Sequence, residues 1–192
     1  MTRTFIALEM HERLQRHLDG VIRQVALLFP GVRWVDASGI HLTLAFLGEL
    51  EDAQLAEAMA ASAEAVCHVP TFTYRLSRLG IFGSPNQPRV IWMGIDEPTG
   101  LLTNVHRTLN QALEKRGFVV DKRPFSPHFT LARVKAPLSM GEQQQLQRLL
   151  AGKQQGLIST ETYPASRLVV VKSELSRAGA HYTALREYAL IS

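Results

Sequence analysis

His41-Leu42-Thr43-Leu44 and, much further along, its near copy His128-Phe129-Thr130-Leu131 are the stretches that decide how this chain folds. In an extended strand successive side chains point to opposite faces, so residues i and i+2 share a face about 7 Å apart. Each copy therefore presents an imidazole beside a hydroxyl. The alternate residues Leu42, Leu44 and Phe46, and likewise Phe129 and Leu131, are expected to point the other way into a core. Two such strands facing each other would set two histidines and two threonines around one small space. That is an inventory for moving protons on either side of a phosphoryl group: two groups that titrate near neutrality, two neutral hydrogen-bond donors, and no need of a metal. Two copies that also share the following leucine arise by chance about once in a thousand chains at average residue usage.

Working outward, residues 4–8 read as a short buried strand. Residues 11–29 follow as a helix with Leu14, Leu18, Val21, Ile22, Val25 and Leu28 on one stripe. Pro30-Gly31 stops it, and a turn at Asp36-Ala37-Ser38-Gly39 leads into the first motif strand over 40–47. Asp52 is placed to cap a helix reaching residue 66, and 72–79 reads as a strand. The loop at 83–88, Gly-Ser-Pro-Asn-Gln-Pro, reads as a connection between halves. Beyond it come a strand at 89–95, a helical stripe of Leu102, Val105, Leu109, Ala112 and Leu113, and the second motif strand over 126–134. Pro127 holds Ser126 out of helical space and favours an extended approach to His128. Ser139 and Glu142 form a capping box for a helix to residue 150. Two strands, 167–174 and 181–190, close the chain, joined tightly at 177–180. Each half thus reads strand, helix, motif strand, helix, strand. The expectation is one α+β domain over 1–192, made of pseudo-repeats at about 1–82 and 88–192, with a site at their junction.

The 192 residues are 46% hydrophobic and 20% charged, which excludes a disordered chain. No apolar run is long enough to span a bilayer, and the first residues carry no basic-then-apolar pattern of an export signal. The single cysteine, Cys67, excludes an intramolecular disulfide or a cysteine-rich zinc site, and is expected to be a small buried hydrophobe. The expected compartment is the cytoplasm. Net charge is +4. Its placement says more than its size: Lys122, Arg123, Arg133 and Lys135 bracket the second motif, and Arg33 lies shortly before the first.

The longer tracts are similar to a known family. Phe5-Ile6-Ala7-Leu8, His41 through Gly48, Val90-Ile91-Trp92-Met93-Gly94, Arg123-Pro124-Phe125-Ser126-Pro127-His128-Phe129-Thr130-Leu131-Ala132-Arg133 and Tyr182-Thr183-Ala184-Leu185 resemble the two-histidine phosphoesterases. The branch resembled is the RNA 2′,3′-cyclic phosphodiesterases, historically 2′-5′ RNA ligases. The resemblance implies two lobes, each an antiparallel sheet with helices on its outer face, and a cleft carrying one His-x-Thr from each. It implies hydrolysis of an RNA 2′,3′-cyclic phosphate to a 2′-monoester without metal or cofactor, with weak reversible 2′-5′ joining as the reverse chemistry. By motif, His41 is the proton donor, His128 the proton acceptor, and Thr43 and Thr130 hold the non-bridging oxygens. The motifs are nearly symmetric, so the residues alone leave open which histidine is acid and which is base. The implied partner is RNA with a cyclic phosphate end or a small cyclic or 2′-phosphorylated nucleotide, met by a monomer with no membrane and no obligate protein partner.

A basic residue at the spacing of Arg133 contacts substrate in this family. Strict alternation sets Arg133 on the face opposite His128 and Thr130, so it reaches the cleft only if the strand ends, twists or bulges there. Phe125 is a candidate for stacking on a base, with core packing as its alternative. Trp92 and Tyr182 read as structural. Two other functions use the same residues. A metallohydrolase is disfavoured because no His-x-His, His-Glu-x-x-His or aspartate cluster adjoins either motif, and threonine is a poor zinc ligand. A non-catalytic nucleotide- or RNA-binding module would have no need of a titrating pair.

Overall fold

The computed structural model describes residues 1–152, 157–158, 160–176 and 179–192; part of the expected 177–180 connection lies outside them. Nine strands and four helices are named among these residues, and the strands form two antiparallel sheets. The first contains β1 (Thr2–Leu8), β3 (Leu42–Leu50), β8 (Arg167–Ser176) and β9 (Gly179–Ala189), in the order β3-β1-β8-β9. The second contains β2 (Arg33–Trp34), β4 (Phe72–Ser84), β5 (Gln87–Asp96), β6 (His128–Arg133) and β7 (Thr162–Ala165), in the order β2-β6-β5-β4-β7.

The strands therefore do not sort by halves of the sequence. β2 and β4 from the first half lie in the second sheet, and β8 and β9 from the second half return to the first. The 83–88 segment is not a connection between lobes. It is the two-residue turn of the β4–β5 hairpin, with Ser84 paired to Gln87 and Gly83 at φ +100°. A hairpin keeps its two strands in one sheet, so this turn cannot separate the lobes. The chain passes between the sheets four times instead, between β1 and β2, β2 and β3 (through a 3-10 turn at Ala37–Gly39), β3 and β4, and β7 and β8.

Helices α1 (Glu12–Ala26), α2 (Asp52–Val66), α3 (Leu101–Lys115) and α4 (Met140–Leu150) form where the stripes predict. The Ser139–Glu142 capping box is present, but α2 is capped by Glu51 with Gln54, one residue earlier than Asp52. One continuous core joins both sheets. It takes Ile6, Leu8, Leu42 and Leu44 from the first and Ile91, Met93, Phe129 and Leu131 from the second, closed by Leu14, Leu18, Val105 and Leu109 from the helices. The opposite face of the first sheet carries a separate small cluster, Phe5, Ala7, Val169 and Val171, with Tyr182 against it. Cys67 is exposed rather than buried, because it is the residue that ends α2.

Candidate phosphoryl-transfer cleft

His41 stands at the entrance to β3, an edge strand of the first sheet, and His128 begins β6 of the second; β3 and β6 approach one another. The two rings are held in the same way. His41 Nδ1 donates to the carbonyl of Gly39 at 3.1 Å, and His128 Nδ1 donates to the carbonyl of Ser126 at 2.7 Å. A carbonyl oxygen can only accept, so in both rings Nδ1 carries the proton and Nε2 is the nitrogen left for chemistry. The local sequence makes these bonds. Gly39 ends the 3-10 turn, and Pro127 sets the extended approach that aims the Ser126 carbonyl back at the ring.

Each imidazole has an aromatic wall. Tyr182 and Phe5 meet His41 edge-on, with ring centroids 4.7 and 5.3 Å away. Phe82 meets His128 edge-on at 4.8 Å, with Trp92 at 6.0 Å. Trp92 lies directly over Gly80, where an added Cβ would fall 2.2 Å from the indole, so only a glycine there leaves room for the ring, which is tilted 54° to that of His128. Tyr182 and Trp92, which sequence reasoning treats as structural, thus stand beside the two histidines. Burial by these neighbours pushes the His41 imidazole below its ordinary 6.5, and the Gly39 carbonyl offsets part of that shift. The proton should accordingly leave His41 at a pH below 6.5, as read by NMR of its ring protons. Tyr182→Ser admits water and should move the midpoint up towards 6.5. An unmoved midpoint would show that Tyr182 is not what dries the ring.

Register decides the remaining residues. Thr43 pairs with Ala7 and so lies on the small-cluster face with His41. A bulge follows: Ile6 pairs with Ala45 and Phe5 with Phe46. The extra residue turns Phe46 out of the core face expected for it; it is 72% exposed, with its ring 5.9 Å from Phe5. On β6, Thr130 pairs with Trp92 and so shares the face of His128. A second bulge then sets Ala132 opposite Ile91 and Arg133 opposite Val90. Ile91 belongs to the core and Val90 to the Trp92 side, so Arg133 emerges on the face of His128 and Thr130, against strict alternation. Neither threonine hydroxyl has a hydrogen-bond partner within the protein among the described residues.

Phe125 stacks on His106 of α3, with centroids 3.8 Å apart and planes within 9°, and packs against the main core. Its stacking face is thus occupied from within, which favours the packing alternative. The aromatic surface open to a base is that of Phe46 and Phe82, both exposed. Sequence reasoning missed these two, although the bulge that frees Phe46 leaves no local signature. Among the described residues no three His, Cys, Asp or Glu side chains gather to hold a metal ion.

The model of the 2′-5′ RNA ligase superfamily matches residues 10–177. The RNA 2′,3′-cyclic phosphodiesterase of Thermotoga maritima is 32% identical over 133 residues, covering 69% of this chain and 70% of its own. Among solved structures, a Thermus thermophilus protein superposes with a TM-score of 0.80 at 26% identity, over 98% of this chain and 97% of its own. Escherichia coli LigT in complex with 3′-AMP superposes with a TM-score of 0.73 at 25% identity, over 100% and 99%.

Proposed function

The chain belongs to the 2′-5′ RNA ligase superfamily, and from that premise we propose that it hydrolyses RNA 2′,3′-cyclic phosphate ends to 2′-phosphomonoesters, using one histidine from each sheet. The observation that carries this reading is the matched tethering of the two rings. Each Nδ1 is spent on the carbonyl two residues back, each Nε2 is free, and a threonine hydroxyl without an internal partner stands two residues on.

Opening the five-membered ring towards a 2′-phosphate requires water to lose a proton as it attacks phosphorus, while the departing 3′ oxygen gains one on the far side. His128 takes the first proton on the bare Nε2 of its neutral ring. His41, in the fraction of molecules whose ring holds a proton on both nitrogens against its lowered pKa, gives the second from Nε2. Each transfer contributes about 10²–10⁴-fold. Thr43 and Thr130 donate to the non-bridging oxygens, and the Arg133 guanidinium offsets charge as the five-coordinate phosphorus forms. Phe46 and Phe82 offer faces on which a terminal base can stack, a contact that needs no particular sequence. The 3′-AMP held by LigT is a ligand of the same chemical size, and the Thermotoga relative carries the activity in its name. With the 5′-hydroxyl of a second RNA in place of water, the same two proton transfers join it to the cyclic phosphate through a 2′-5′ linkage as the 3′ oxygen leaves.

The reading covers residues 1–192 as a single bilobal domain acting as a cytoplasmic monomer. No described helix is long and apolar enough to cross a membrane. Incubation with an RNA ending in a 2′,3′-cyclic phosphate, in the presence of EDTA, should yield the 2′-monoester by chromatography. A 3′-monoester would reverse the assignment of leaving group, and activity abolished by the chelator would indicate a metallohydrolase.

A further inference from the structure

β2 is only two residues long, yet it sets one side chain of consequence in the cleft. Trp34 pairs with Ala132 and packs towards the core, with Phe29 at 6.4 Å. Arg33 pairs with Arg133. Residues directly opposite in an antiparallel pair share a face, so Arg33 stands on the same face as Arg133, and through the β6 bulge on that of Thr130 and His128. Both arginines are exposed, and neither has a carboxylate partner among the described residues. Like charges placed directly opposite on adjacent strands repel. Some of the protein's other exposed cations are paired with nearby carboxylates, as in Arg75 with Asp96 and Arg167 with Glu187, whereas, among the described residues, Arg33 and Arg133 are not. Here the register sets two such arginines directly opposite one another. A planar fork without a carboxylate partner suits a phosphate, which can accept a pair of hydrogen bonds from it.

Position along the strand identifies which phosphate. His128, Thr130 and Arg133 follow one another on one face of β6, each step about 7 Å. The scissile phosphorus belongs between the histidines and beside Thr130. Arg33 lies level with Arg133 on the outermost strand of its sheet, one strand spacing of about 5 Å to the side, and so further from Thr130 and His128 than Arg133 is. Resting on the reading of the cleft as a cyclic phosphodiesterase, in which Arg133 meets the scissile phosphate, the geometry points to Arg33 as the clamp for the phosphodiester one nucleotide upstream of the cyclic end. Arg33 is then a specificity residue that makes this an enzyme for RNA chains rather than for cyclic mononucleotides.

Three substrates test this: cytidine 2′,3′-cyclic phosphate, a dinucleotide ending in a 2′,3′-cyclic phosphate, and the same dinucleotide with a neutral methylphosphonate linkage. The charged dinucleotide should exceed the other two by about tenfold or more in kcat/KM, taking the usual worth of charge-assisted hydrogen bonds. Arg33→Gln should erase most of that advantage and lower the salt slope of log kcat/KM on the charged dinucleotide by about 0.7, the loss of one phosphate contact on a single strand. Equal rates on charged and neutral dinucleotides, or an advantage that survives Arg33→Gln with its salt slope unchanged, would overturn the clamp while leaving the phosphodiesterase standing. Wild-type protein inert on all three would overturn the phosphodiesterase and the clamp with it.

Discussion

His128→Ala and His41→Ala should each lower kcat on a 2′,3′-cyclic phosphate end by about 10²–10⁴-fold, the worth of a positioned proton carrier. The double variant should fall little further than the weaker single, because a concerted transfer needs both carriers at once. Neither ring holds the fold together. Both are partly exposed, and each makes one hydrogen bond to its own chain two residues back. Circular dichroism and melting temperature should therefore stay close to wild type. Asparagine at either position is the sharper comparison. An amide can keep the tether to the Gly39 or Ser126 carbonyl but cannot exchange a proton near neutrality, so it should be as inactive as alanine. Turnover retained by the asparagine variants would reduce the two histidines to hydrogen-bond donors and remove the acid–base reading.

The cleft was readable in the sequence to the extent that it depends on alternation, and unreadable where alternation breaks. His41 with Thr43 and His128 with Thr130 are i, i+2 pairs in regular strand, and the structure sets each pair on one face. Phe46 and Arg133 lie just past a bulge, and both change sides there. A bulge is a property of two paired strands, and neither strand carries its signature alone. Sheet membership failed for a related reason. Strand pairing is a long-range choice that element order does not reveal, and β8 finds β1 across more than 150 intervening residues. β2 and β7, of two and four residues, are too short to show a period, and Pro164 in β7 argues locally against a strand although an edge tolerates it. Helices, whose pairing is local, came out within a few residues of expectation.

The bulge also makes Arg133 the most informative single substitution outside the histidines. If its guanidinium meets the negative charge that builds on phosphorus, Arg133→Met removes hydrogen bonds to a charged group, each worth about 1.5–3 kcal/mol. The expected loss is about 10–200-fold in kcat/KM. Methionine keeps most of the aliphatic length, and Arg133 is exposed with no carboxylate partner among the described residues, so stability should not follow activity down. Lysine in its place restores the charge but not the planar fork, and should recover only part of the loss. Were strict alternation to hold instead, position 133 would face away from the cleft, and both substitutions would leave kcat/KM within a factor of two. The Arg133→Met and Arg133→Lys pair thus tests the register of β6 against β5 in solution. Because Arg33 rather than Arg133 is assigned the upstream phosphate, Arg133→Met should leave the ratio of charged to neutral dinucleotide rates near that of the wild type. An Arg133 variant that lost the preference for the charged dinucleotide would place Arg133 on the upstream phosphate as well.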